Sequence, residues 1–196
     1  MQIGALRKIA AAGAAEPAAR FEASDKAAAI LKAGMRPAEY LASLIDAELW
    51  PDAIRFLAYA LPNREGVWWA CLAARASLPP GAPPGHAETI AAAEEWVYHP
   101  DDGTRRAAFA AAEKIGFKSP AAYAGLAAFW SGGSLAPPGT PEVPPDPNLC
   151  PVAVSSAVLL AAVVHEPHKA EGKYRSFLTS GIDIANGGNG SGKKGV

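Results

Sequence analysis

Apolar residues recur along most of this chain at intervals of three and four, the spacing that puts them on one face of an α-helix. The stretch Pro62–Arg75 shows it most strongly. Arg64, Trp68, Cys71 and Arg75 fall on one stripe, and Glu65, Trp69, Leu72 and Ala76 fall on the next. Two apolar stripes side by side predict a helix buried on most of its circumference, with two adjacent indoles that both need cover.

The same reading, taken from the beginning, makes residues 1–22 an arm that Ile3, Leu6, Ile9 and Phe21 pin down. Ser24 caps a short helix through Lys32, with Asp25 in its first turn and Gly34 at its end. Pro37 opens a helix with an apolar face of Tyr40, Leu41, Leu44, Ile45 and Leu49, and Pro51 opens another through Leu61. Pro62 restarts the chain into the tryptophan helix, which runs to about Ser77. The proline- and glycine-rich residues Leu78 to Gly85 read as an extended surface loop. Helices follow over Ala87–His99, Thr104–Ile115 and from Pro120, where Tyr123, Leu126, Ala127 and Trp130 share a side.

The junction Gly116-Phe117-Lys118-Ser119-Pro120-Ala121-Ala122-Tyr123 echoes Gly34-Met35-Arg36-Pro37-Ala38-Glu39-Tyr40. A duplicated helical pair would explain the echo. Convergence of two junctions in which glycine stops one helix and proline starts the next explains it more simply.

Regular structure stops at residues 131–149, a strap too rich in proline to be helical. Extended at ~3.1 Å per residue it would reach roughly 50 Å, against a radius of gyration of about 16 Å for a domain of this length. Anchored by Leu135, Val143 and Leu149, it is expected to cross the body and cover the indole pair; a linker between two subdomains is the alternative. An apolar core helix, Pro151–Glu166, and a last helix with Tyr174, Phe177, Leu178, Gly181 and Ile182 on its packing face complete a domain over residues 23–186. Residues 187–196, rich in glycine, are expected to be disordered. The fold class that results is all-α: a compact helical bundle or short α-solenoid of about eight helices with a Pro-rich extended strap.

Composition narrows the chemistry. Half of the 196 residues are hydrophobic, many of them alanine, and 19 % are charged. A net charge of −1 gives no global field to attract nucleic acid or an anionic membrane, so no nucleic-acid partner is expected. The longest apolar run, Val152–Val164, is broken by two serines and falls short of the ~20 residues of a membrane crossing. Arg7 and Lys8 precede an alanine-rich run without the leucine-rich segment of a signal peptide. Cys71 and Cys150 sit in apolar contexts and read as buried thiols of a reducing compartment.

Candidate motifs mostly fail on inspection. Gly187, Gly192 and Lys193 match part of a phosphate loop, but Lys194 stands where Ser or Thr should bind magnesium, and neither a strand before it nor a helix after it is predicted. His165 and His168 flank a proline with no third ligand signalled, so no metal and no cofactor is expected. The one constellation that stands is Arg64, Trp68 and Arg75 on one face, with Arg175 and Asp183 on the last helix as partners and Trp130 as a further aromatic binding residue. Guanidinium groups over an indole suit an anionic side chain or a peptide carboxylate. Equally, arginines at the edge of a core cap carbonyls or pair with acids, the commoner arrangement.

Three segments carry a resemblance: Pro62-Asn63-Arg64-Glu65 with Val67-Trp68-Trp69-Ala70-Cys71, then Phe129-Trp130-Ser131-Gly132-Gly133-Ser134-Leu135-Ala136-Pro137-Pro138, and the closing Tyr174-Arg175, Phe177-Leu178 and Asp183-Ile184-Ala185. Over roughly Leu6 to Ala185 the sequence resembles an uncharacterised family of small, alanine-rich bacterial proteins that carry a domain of unknown function, often encoded near type VI secretion components and their effectors. The resemblance implies a cytoplasmic accessory role, as a non-enzymatic adaptor or effector chaperone with a secretion effector or component as its protein partner. It assigns no catalytic residue. The alternative expectation is an enzyme or small-anion-binding protein with a pocket around Arg64 and Arg175.

Overall fold

Serine and proline set where several helices begin. In the computed structural model, which describes residues 3–191, Ser24 Oγ accepts from Ala27 N and starts α2 (Asp25–Ile30), and Ser119 Oγ accepts from Ala122 N and starts α8 (Pro120–Phe129). Pro37 opens α3 (Pro37–Asp46), where the Glu39 carboxylate accepts from Arg36 N at 2.9 Å. In these first turns the missing proline N–H costs nothing. The remaining helices are α1 (Ala15–Ala18), α4 (Trp50–Ala60), α5 (Asn63–Ala76), α6 (Pro84–Tyr98), α7 (Asp102–Ile115), α9 (Leu149–Val163) and α10 (Ala170–Ala185). Among the described residues there is no strand, and the all-helical class is as expected.

The architecture is a bundle rather than a solenoid, because α5 packs against α6, α8, α9 and α10 instead of only its chain neighbours. Trp69 is fully buried and its indole N–H donates to Phe177 O on α10 at 2.8 Å. Gly181 makes that approach possible, since a Cβ there would stand 2.7 Å from Trp69 Cε2 and 2.8 Å from Leu57 Cδ2. On the other side of α8, a Cβ on Gly125 would stand 2.8 Å from Ala108 O. The alanine content thus serves close helix packing, with glycine where even a methyl is too large.

The strap takes a different course from the one expected. It folds back on itself, with Leu135 N donating to Val143 O at 2.8 Å and Val143 N to Ser134 Oγ at 3.0 Å. Its base is clamped by α7. Arg105, 3 % exposed, donates to Phe129 O at 2.7 Å and Ser134 O at 2.8 Å, and Arg106 donates to Ala136 O at 2.9 Å. The Val143 side chain is 51 % exposed, and the residue holds the strap through its backbone instead. The physical reason is local satisfaction: two guanidinium groups and a backbone pair take up the strap's carbonyls, so it has no need to run along the bundle.

Trp69 is covered by α10, and Trp68 by the chain that follows α10. Trp68 Nε1 donates to Asn189 O at 2.9 Å, and the Asp183 carboxylate accepts from Gly190 N at 2.8 Å. Gly187 and Gly190 take φ of 95° and 81°, which lets the chain turn back. The expected disordered tail is thus ordered over Gly187–Ser191; its remainder, with Gly192, Lys193 and Lys194 of the partial phosphate-loop match, lies outside the described residues. The arm is tied to the same end of α10: Leu6 is buried, Leu6 N donates to Asn186 Oδ1 at 2.9 Å, and Lys8 N donates to Ala185 O at 2.8 Å.

Candidate functional site

The predicted binding residues do not converge. Arg64 donates to Val97 O in the last turn of α6 at 2.6 Å, satisfying a carbonyl that the helix leaves open. Trp68 lies beside it, half-buried, with its ring 5.9 Å from Tyr98. Asp183 is tied to this region through the backbone of Gly188 and Gly190. Arg75 is further along α5, where it grips both oxygens of Glu94 at 3.0 and 2.6 Å. Trp130 caps the end of α8, partly buried against the core. Arg175 is elsewhere again, stacked 4.8 Å over Trp50 and paired with Glu171 at 2.9 Å and Glu48 at 3.6 Å. Arg64 and Arg175 line separate recesses, so a single pocket around both does not form.

Other candidate chemistry is held in check by burial. Cys71 and Cys150 are free and buried. Burial drives both thiols upward, Cys150 to about 12, so both stay protonated and unreactive at neutral pH. His165 and His168 are exposed, and among the described residues no group of three or more His, Cys, Asp or Glu side chains is placed to hold a metal.

What the fold does assemble is an apolar slot of about 290 Å³, where four chain segments meet. Its walls are Ala74 and Leu78 at the end of α5, Pro79, Ala82 and Pro83 of the following loop, Pro120 and Ala121 at the start of α8, and Val164 just past α9. Each segment is there for a local reason. Proline rings in the loop offer apolar surface without an N–H that needs a partner, and the loop closes as a turn with Ala82 N donating to Pro79 O at 3.0 Å. At the opposite wall α9 must stop: Glu166 takes a left-handed φ of 52°, and the chain turns by 109° into α10. Lys173 Nζ caps the His165 carbonyl at that corner. The turn leaves Val163 and Val164 37 % and 38 % exposed.

The rim is basic. Lys118, His86 and His165 line the slot, and none of its lining residues is a carboxylate. His86 Nδ1 is buried without a hydrogen-bond partner among the described residues, a polar group that a ligand donor or acceptor would satisfy. Phe117, 42 % exposed and stacked at 6.0 Å on Phe109, extends the apolar surface beside Lys118. Of these residues only His165 stands as a candidate in the sequence, as a metal ligand, and none is assigned a function there. The loop prolines read as a connector and Val164 as part of a buried helix; only the aromatic residue at Phe117, exposed by the Gly116 turn, carried a usable signal.

The chain matches no curated protein and no solved structure. A family model matches residues 40–185, which takes in α4 to α10 entire, and the chain belongs to that family of unknown function, DUF6931.

Proposed function

We propose that this protein is a non-enzymatic adaptor or effector chaperone, working in the cytoplasm, and that the apolar slot receives a segment of its protein partner. The observation that carries the reading is the slot itself. Leu78, Pro79, Pro83 and Val164 form a concave apolar surface of a size for one or two apolar side chains. The basic rim gives the partner's chemistry: an apolar segment flanked by Asp or Glu, which Lys118 would pair with.

Support for the setting comes from the sequence resemblance, which links such bacterial proteins to type VI secretion; the partner is accordingly a secretion effector or a component of the machinery. Less supports the rival, an enzyme or small-anion-binding protein using Arg64 and Arg175, because each guanidinium is engaged in a different recess.

Capture with the full chain as bait tests the reading. A secretion protein recovered with the natural chain, and lost with Val164→Glu at unchanged melting temperature, is the expected result. Equal recovery with both baits, or recovery of no secretion protein or other protein partner, overturns it.

A further inference from the structure

On the opposite side of α9 from the core lies a larger opening, about 690 Å³, between the N-terminal arm, α4 and α9. Three of its donors, on Arg55, Tyr59 and Ser156, are left over. Arg55 and Tyr59 stand one turn apart on α4, so their side chains share a face. Arg55 makes no hydrogen bond or ion pair among the described residues, and neither the Tyr59 hydroxyl nor the Ser156 hydroxyl has a hydrogen-bond partner among them. Tyr59 is otherwise buried, its ring 5.3 Å from that of Phe21. Burial also raises its phenol above the ordinary value of 10, which keeps the proton available for donation.

The neighbouring Arg20 builds the wall rather than the site. Its three nitrogens donate to Asn148 Oδ1, Tyr59 O and Pro147 O at 3.0, 3.3 and 2.9 Å, all neutral acceptors, and the Asp146 carboxylate beyond them is close enough to act on the Tyr59 phenol. Glu22 is on the rim and forms an ion pair with neither arginine among the described residues. The buried Asp52 carboxylate is taken up by Ser24 N and Oγ, both at 2.9 Å. One free guanidinium fork, two hydroxyl donors and nearby negative charge suit a single planar monoanion better than a phosphate dianion. Along α9, Val152 and Leu159 fall on the stripe of Ser155 and Ser156 and, with Phe21, supply an apolar bed.

We propose that this cleft binds the carboxylate of an apolar acid, with Arg55, Tyr59 and Ser156 holding the carboxylate and Phe21, Val152 and Leu159 holding the apolar part. The acid is either a free small molecule or the C-terminal residue of a polypeptide; both present the same group. The site is separate from the slot between α8 and α9, so the two proposals are tested independently.

Calorimetry with amide-shift mapping on the full chain tests it, using 3-phenylpropanoate, its neutral amide, and a ten-residue peptide ending in Phe with a free or an amidated C-terminus. The expected result is binding of the acid, shifts at Ala23, Ser24 and Ser156, and affinity for the neutral amide lower by at least about tenfold. Arg55→Gln weakens acid binding at least about tenfold and Tyr59→Phe severalfold, with melting unchanged for Arg55→Gln because that side chain makes no hydrogen bond or ion pair among the described residues. Peptide and small acid binding alike identifies a small-molecule site; a peptide tighter by about tenfold or more identifies a chain terminus. Equal binding of acid and amide, no binding by any probe, or an Arg55→Gln protein that titrates like the natural one overturns the proposal.

Discussion

Replacing Trp69 by Phe tests whether the bundle is built around α5. The change removes one hydrogen bond, Nε1 to Phe177 O at 2.8 Å in a fully buried position, worth about 1 kcal/mol net. It also removes about 40 Å³ of side chain from a place where α10 and Leu57 already approach closely, adding about 1 kcal/mol for the residual cavity. The sum is about 2 kcal/mol. The same change at Trp68, half-buried and bonded to Asn189 O at the surface, removes one partly solvated hydrogen bond and costs about 0.5 to 1 kcal/mol. Urea unfolding followed by far-ultraviolet circular dichroism measures both. A Trp68→Phe cost equal to or greater than that of Trp69→Phe would refute the assignment of the two indoles to core and edge.

Three further outcomes follow from the packing. Arg105→Met keeps the bulk but strands the Phe129 carbonyl and leaves the Ser134 carbonyl to Arg106 alone, at 3.1 Å; it should cost about 2 kcal/mol and open residues 135–143 to limited proteolysis. Asp102 is held below its ordinary value of 3.8 by hydrogen bonds from Arg106 and then Arg105. Its contribution is therefore present in full above that value and lost as pH falls through the lower folded-state value, so the decline in stability below about pH 4 should be shallower in Asp102→Asn. Neither Cys71 nor Cys150 should react with a thiol reagent in the native protein at about pH 8, and both should react in denaturant; a fast native reaction would contradict their burial.

Most helix positions were legible because their signals are local. Ser24, Ser119, Pro37 and Pro120 act within one turn of their own position, and the apolar stripes of α3, α4 and α5 need only the helical repeat. Boundaries slipped where proline sits inside a first turn: α9 begins at Leu149 rather than Pro151, and α6 at Pro84 rather than Ala87. The strap's course is not legible because it depends on Arg105 and Arg106, about thirty residues away in sequence, and nothing local marks those arginines as a clamp. Residues 187–191 of the glycine-rich end are hard to read for a related reason. Composition alone suggested disorder, yet Trp68 needed an acceptor and Asp183 a donor, and the backbone of residues 189 and 190 supplies both. The slot and the acid cleft are assembled from segments far apart in the chain, and no stripe on a single helix announces either one.

The measurement that bears most directly on the proposed role is site-specific crosslinking in the native host, with a photoreactive side chain placed once at Val164 in the slot and once at Lys26, exposed on α2. A secretion protein joined at position 164, absent at position 26, and competed away by a peptide carrying an apolar segment between acidic residues is the predicted result. The same proteins joined at both positions, or no protein joined at 164, would contradict it.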